Sequence, residues 1–173
     1  DELLTRLKNA PYFAVDTETS ALDWQQAQLV GVSLAVQAHE AFYIPVAHVD
    51  ELGQPLPDQL ARDVVLRALK PLLEDPAIGK IGQHLKYDAH IFKRYDIDLN
   101  VSPANWQMDT MLASYIINPT ATRHNMDDLA RHYLGVTTTT FEDVAGKGAK
   151  QLTFDQVDLT AASDYACEDA DVT

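Results

Sequence analysis

The sequence predicts an α/β domain: a mixed sheet of three antiparallel strands, then parallel strands, with helices packed on it. Three observations carry that expectation. Apolar runs over 12–17, 29–36 and 41–46 follow one another through short connections, which favours antiparallel meander pairing. From Asp58 onward the apolar residues recur at helical spacing. Beyond that stretch, short apolar strands alternate with helical segments, the pattern of helices laid on a sheet in one domain, 1–173.

In chain order, residues 2–9 place Leu3, Leu4 and Leu7 on one face of a short amphipathic helix. The first strand rises through Tyr12, Phe13, Ala14 and Val15. Pro45 cannot donate to a ladder, which suggests an edge strand or a strand end there. Residues 58–73 carry Leu60, Val64, Val65, Leu69, Leu72 and Leu73 at helical period. A short strand over 77–82, a helix over 85–95 and a last short strand over 106–108 follow. Asp109 is placed to cap a helix that runs to 117, where Asn118-Pro119 stops it. Residues 126–134 form an amphipathic helix ended by Gly135. Thr137 to Thr140 precede a loop with Gly146-Lys147-Gly148, and a helical pattern resumes at 159.

Composition sets bounds on function. Thirteen Lys and Arg against 26 Asp and Glu leave a net charge of −13. Such a balance argues against a protein whose main task is gripping duplex phosphates, although a short strand end remains within reach if metals supply positive charge locally. One cysteine, Cys167, permits no internal disulfide, which fits a reducing, cytoplasmic setting. No apolar run reaches membrane-spanning length, so no membrane partner is expected. The N-terminal Asp1-Glu2-Leu3-Leu4 lacks the basic region of a signal peptide. The chain stops inside a helical run, so a piece of a longer protein is expected.

The chemistry begins at Phe13-Ala14-Val15-Asp16-Thr17-Glu18-Thr19. In a strand, residues at i and i+2 share a face, so Asp16 and Glu18 aim at one point. Like charges side by side are destabilising unless neutralised, and a hard divalent cation takes oxygen ligands. A bare Asp-x-Glu is more often two solvated acids at a turn. Two downstream features change that balance. Asp88 lies in Gly82-Gln83-His84-Leu85-Lys86-Tyr87-Asp88, in the first turns of a helix just after a strand. Near the C-terminus, Tyr165 and Asp169 are four apart and share a helix face, which pairs them without choosing their role.

Asp-x-Glu, a middle Asp and Tyr-x-x-x-Asp together resemble the 3′–5′ exonuclease superfamily named for its four acids, in the variant with a tyrosine. The segments Phe-Ala-Val-Asp-Thr-Glu-Thr, Leu-Lys-Tyr-Asp, Asp-Thr-Met-Leu-Ala-Ser-Tyr-Ile, Ala-Gly-Lys-Gly, Gln-Leu-Thr-Phe and Glu-Asp-Ala-Asp-Val-Thr are similar to the proofreading domain of bacterial DNA polymerase I, a family A polymerase. The likeness runs nearly end to end. It implies an RNase H-like fold and removal of 5′-nucleotides from single-stranded or frayed DNA 3′ ends during replication and repair. It also implies two divalent ions, Mg2+ or Mn2+, and a polymerase domain in the same longer chain. Asp16 would bridge the ions, Glu18 and Asp169 would complete one site, and Asp88 would hold the other. Tyr165 would align the attacking water. Leu22 and Phe141 would wedge or stack on terminal bases, with Thr19, Gln83, Tyr87 and Arg123 as further contacts to the terminal nucleotides. His84 stands where the family usually carries Asn, which puts a supporting contact in question. His124 and the five other histidines read as structural or solvated, and Asp109 as a helix cap. Two rival expectations are a scaffold domain without activity, which the four acids and Tyr165 disfavour, and an RNA-trimming exonuclease of the RNase D type.

Overall fold

The computed structural model describes residues 2–99 and 107–173. Five strands form one sheet, β1 (Tyr12–Thr19), β2 (Leu29–Gln37), β3 (Glu40–Pro45), β4 (Gly79–Gly82) and β5 (Gln107–Asp109), in the order β3-β2-β1-β4-β5. β1, β2 and β3 are antiparallel, and β4 and β5 run parallel to β1. This is the mixed sheet that the spacing of the apolar runs predicts. Pro45 ends the edge strand β3.

Helices α1 (Glu2–Asn9), α2 (Arg62–Leu73) and α3 (Leu85–Lys93) accompany the first part of the chain. α4 (Thr110–Ile117), α5 (Met126–Leu129), α6 (Phe141–Ala145) and α7 (Leu159–Val172) follow. Alternation along β1 sorts its side chains between two cores. Phe13 and Val15 join Leu7, Leu69 and Phe92 from α1, α2 and α3. Ala14 packs with Ala35 and Ala170 on the other face. Small side chains at 162, 166 and 170, four apart on α7, are buried there, so that helix lies close against the strands. Asp16 and Glu18, in phase with Ala14, therefore share the α7 face. None of the described helices is long and apolar enough to cross a membrane.

Several boundaries differ from expectation. The helix expected from 58 begins at Arg62, because residues 58–61 belong to a segment that folds over His48. The Gln59 side chain accepts from the His48 N–H at 2.6 Å and donates to the His48 carbonyl at 2.8 Å. Leu60, counted among the apolar face, is exposed. The helix expected over 126–134 is α-helical only to Leu129 and continues as a π-helical turn, Ala130–Leu134, before Gly135 at φ 70. The loop expected after Thr140 contains α6, closed by a capping box in which Thr140 and Asp143 bond each other reciprocally. Of the strand expected over 106–108, Trp106 lies outside the described residues. Asp109 caps α4 as expected, accepting from the Leu112 N–H at 3.2 Å. It also accepts from the N–H groups of His84 and Leu85 at 3.1 and 2.9 Å, joining the starts of α3 and α4.

Candidate active site

Strand β1 outruns its parallel neighbour. β4 pairs only with Tyr12, Phe13 and Ala14, so the backbone beyond them faces an open edge on that side. A buried backbone N–H requires a partner. Asp88, from the first turns of α3, supplies it. Its Oδ1 accepts from the Thr17 N–H at 2.9 Å and from the Thr17 hydroxyl at 2.5 Å. Asp88 thus reaches the end of β1 from the α3 side of the sheet and is 2% exposed. On the other side of the same strand end stand Asp16 and Glu18, and the register against β2 shifts immediately after Glu18. Irregularities of this kind re-aim side chains next to functional sites.

Helix α7 closes the cluster. One carboxylate oxygen each from Asp16, Glu18 and Asp169 lie within 4.8 Å of one another. Among the described residues no Lys, Arg or His forms an ion pair with them. The consequence is electrostatic. Burial pushes the Asp16 carboxyl up to about 6. Burial, then the charge of Asp16, pushes Asp169 up to about 8. Glu18 is driven well above the usual carboxylate range by burial and then by Asp16, Asp169 and Asp88. Burial and then Asp16 do the same to Asp88, with the two Thr17 donors opposing. Glu18 Oε1 is buried with no hydrogen-bond partner. An orphaned oxygen among three other acids fits an oxygen-ligated divalent cation, which would cancel the repulsion and fill the missing contact.

Tyr165 stands one helical turn before Asp169. Its hydroxyl is pushed above its ordinary pKa by burial and then by Asp169, so it stays protonated at neutral pH. Asp16, Glu18 and Asp169 open into a cavity of about 530 Å³, with Leu22 and Phe141 on its wall beside Tyr165; Asp88 lies buried behind them and does not line it. Leu22 is 96% exposed, an unpacked apolar side chain at the mouth. Thr19 and Tyr87 line the same space, their hydroxyls bonded to each other at 2.8 Å, while the Tyr87 hydroxyl also donates to the Ala21 carbonyl.

Two expected substrate contacts fall elsewhere. The Gln83 amide is engaged at both ends, donating to the His124 carbonyl at 2.9 Å and accepting from Thr110 at 2.5 Å. It lines a separate apolar groove with Met108, Ile117 and Tyr133. Arg123 is exposed and is not among the residues lining the acid cavity. Position 84 has a backbone explanation: φ 57, ψ 44 is left-handed, a region in which Asn and His are both enriched. Sequence reasoning passed over Thr17, whose donors fix Asp88, and Ser33, which pairs with Asp16 across the ladder and whose buried hydroxyl opposes the upward shift of the Asp16 carboxyl. The strand alternation that singled out Asp16 could have flagged Ser33 once β2 was in register.

The profile of the 3′–5′ exonuclease family matches residues 1–173. The chain belongs to the 3′–5′ exonuclease family. Within that family, DNA polymerase I of Pseudomonas aeruginosa is 54% identical over 173 residues, covering all of this chain and 18% of that protein. DNA polymerase I of Rhizobium leguminosarum is 42% identical over 175 residues, covering 92% of this chain and 17% of that protein. The chain therefore spans under a fifth of the length of these polymerases. Among solved structures, RNase D of Escherichia coli, an exoribonuclease, has the same fold at a TM-score of 0.64 and 23% identity. The match covers 99% of this chain and 39% of that one. The exonuclease domain thus shares its RNase H-like architecture with enzymes that act on another nucleic acid.

Proposed function

We propose that this exonuclease domain removes 5′-nucleotides one at a time from single-stranded or frayed DNA 3′ ends, as the proofreading part of a longer polymerase in the cytoplasm. The observation that carries the reading is the convergence of Asp16, Glu18 and Asp169 within 4.8 Å, with one Glu18 oxygen orphaned, at the floor of an open cavity. An all-oxygen donor set suits Mg2+ or Mn2+. Asp16, Glu18 and Asp169 would hold one ion, and Asp16 with Asp88 the second. The chemistry such ions supply when bound is activation of a water and neutralisation of the charge that builds on the leaving 3′ oxygen.

The chain's own groups do the rest. Thr17 holds Asp88 by two donors, so the second carboxylate is set before any ligand arrives. Tyr165, kept protonated, aligns water through its hydroxyl and is no general base at neutral pH. Leu22 and Phe141 present apolar surface to terminal bases, a contact that tolerates any sequence, as proofreading requires. At −13 the domain repels duplex phosphates, so the hold on DNA falls to the polymerase region beyond it.

Matched single-stranded DNA and RNA oligonucleotides, labelled at the 5′ end, test the reading. With Mg2+ the DNA is expected to shorten stepwise from its 3′ end, releasing 5′-mononucleotides, and EDTA is expected to stop it. Faster loss of the RNA, or shortening that persists in EDTA, would overturn it.

A further inference from the structure

We infer that Tyr43, held by His48, is a positioning residue for Glu18: its phenol walls off the side toward which the repelled carboxylate could retreat across the sheet. The inference rests on the ion-binding reading of the acids.

The sheet register carries it. Asp16, Ser33 and Tyr43 pair in one row across β1, β2 and β3, and Glu18, Gly31 and Pro45 pair two residues along, on the same face. Position 31 has no side chain, and the phenol of Tyr43 leans into the space left. A Cβ built on Gly31 would lie 2.1 Å from the Tyr43 oxygen and 2.3 Å from two ring carbons. Residues directly opposite in an antiparallel ladder have Cβ atoms about 5 Å apart. The phenol tip therefore stands beside Glu18, where the side chain of its cross-strand partner would be. Glu18 is pressed by Asp16, Asp169 and Asp88, and without a wall it would relax toward Gly31.

The wall is braced from behind. Tyr43 Oη and His48 Nε2 are 2.7 Å apart. His48 is fully buried, and its backbone is clamped on both sides by Gln59. Phe154 meets the Tyr43 ring edge-on at 6.4 Å and the His48 ring at 5.7 Å. Such buried hydrogen bonding is unnecessary for packing alone, since a phenylalanine would fill the same volume.

Mn2+ affinity, read from the paramagnetic resonance of unbound Mn2+, tests the assignment alongside kinetics. Tyr43→Phe keeps the ring and loses the brace. Its Mn2+ affinity is expected to fall about tenfold, the lower end for groups that orient metal ligands. kcat is expected to fall at limiting Mn2+ and recover at saturating Mn2+, with KM for the oligonucleotide unchanged. His48→Gln, which restores a nitrogen at similar reach, is expected to keep near-native affinity. A merely structural role would lower the melting temperature of Tyr43→Phe in EDTA and leave Mn2+ affinity within twofold of wild type, and that result overturns the inference. Glu18→Gln in the same assay separates the two readings. If it loses Mn2+ while Tyr43→Phe does not, only the wall is refuted; if it binds as wild type does, the ion site itself falls.

Discussion

Glu18 and Lys80 are both charged groups buried in one sheet, and they are treated in opposite ways. Lys80, on β4 opposite Phe13, is fully buried, and its ammonium donates to the carbonyls of Asp75 at 2.6 Å and Ile78 at 2.8 Å. It also lies 5.9 Å from the centre of the Phe13 ring. Glu18 has three acids around it and an oxygen with no partner. A buried charge that finds its partners within the chain supports the fold. One that is denied them costs stability and waits for a ligand. The contrast separates structural from functional burial without reference to any relative.

Substitutions of the two kinds of buried charge should therefore fail in different ways. The largest effect is expected at the acids. Asp16→Ala should lower Mg2+-dependent hydrolysis by more than about a thousandfold, several kcal/mol of lost charge stabilisation, while circular dichroism shows an intact fold. Undiminished cleavage would remove Asp16 from the site. Lys80→Met should do the reverse. Leaving carbonyls unpaired should cost about 1–3 kcal/mol in urea unfolding, with hydrolysis per folded molecule unchanged. Equal stability would mean that Lys80 is no structural charge.

A smaller and more diagnostic effect is the response of the metal-free chain to pH. Asp16 and Asp169 are raised from near 4 to about 6 and about 8. Between those limits the folded state holds more protons than the unfolded state, so stability falls as pH rises. It should be fullest below pH 4 and decline through pH 8, by more than about 1 kcal/mol, since one pKa unit is worth roughly that much. Mg2+ at pH 8 should restore it. Melting curves in EDTA that are flat or rise over this range would contradict the repulsion on which the comparison depends.

Much of this was readable from residue order, for physical reasons. Period-two alternation identified β1 and put Asp16 and Glu18 on one face, because strand geometry leaves no alternative. Four-residue spacing paired Tyr165 with Asp169. Local pattern could not bring Asp88 to β1, since that meeting depends on β4 ending early and freeing the Thr17 N–H; only resemblance to a family pointed there. The helix start was misplaced because Leu60 has the right period but sits in a segment tied down by Gln59, a long-range bond that periodicity does not see. Gln83 and Arg123 looked like substrate contacts by resemblance. The amide of the first is engaged by His124 and Thr110, and the second is not among the residues that line the cavity. The Tyr43 wall was hidden for a related reason: it exists only when two strand registers are known together.

Helix α7 packs across β1, β2 and β3, and it alone brings Asp169 and Tyr165 to the acids of the first strand. A chain still emerging from the ribosome holds Asp16 and Glu18 long before their counterpart has been translated. Assembly of the cutting centre thus waits on one of the most distant pairings in the chain, a slow kind of contact to close. Until that helix has docked, Asp16 and Glu18 stand without Asp169, so covering this face of the sheet and completing the cluster of acids are one event.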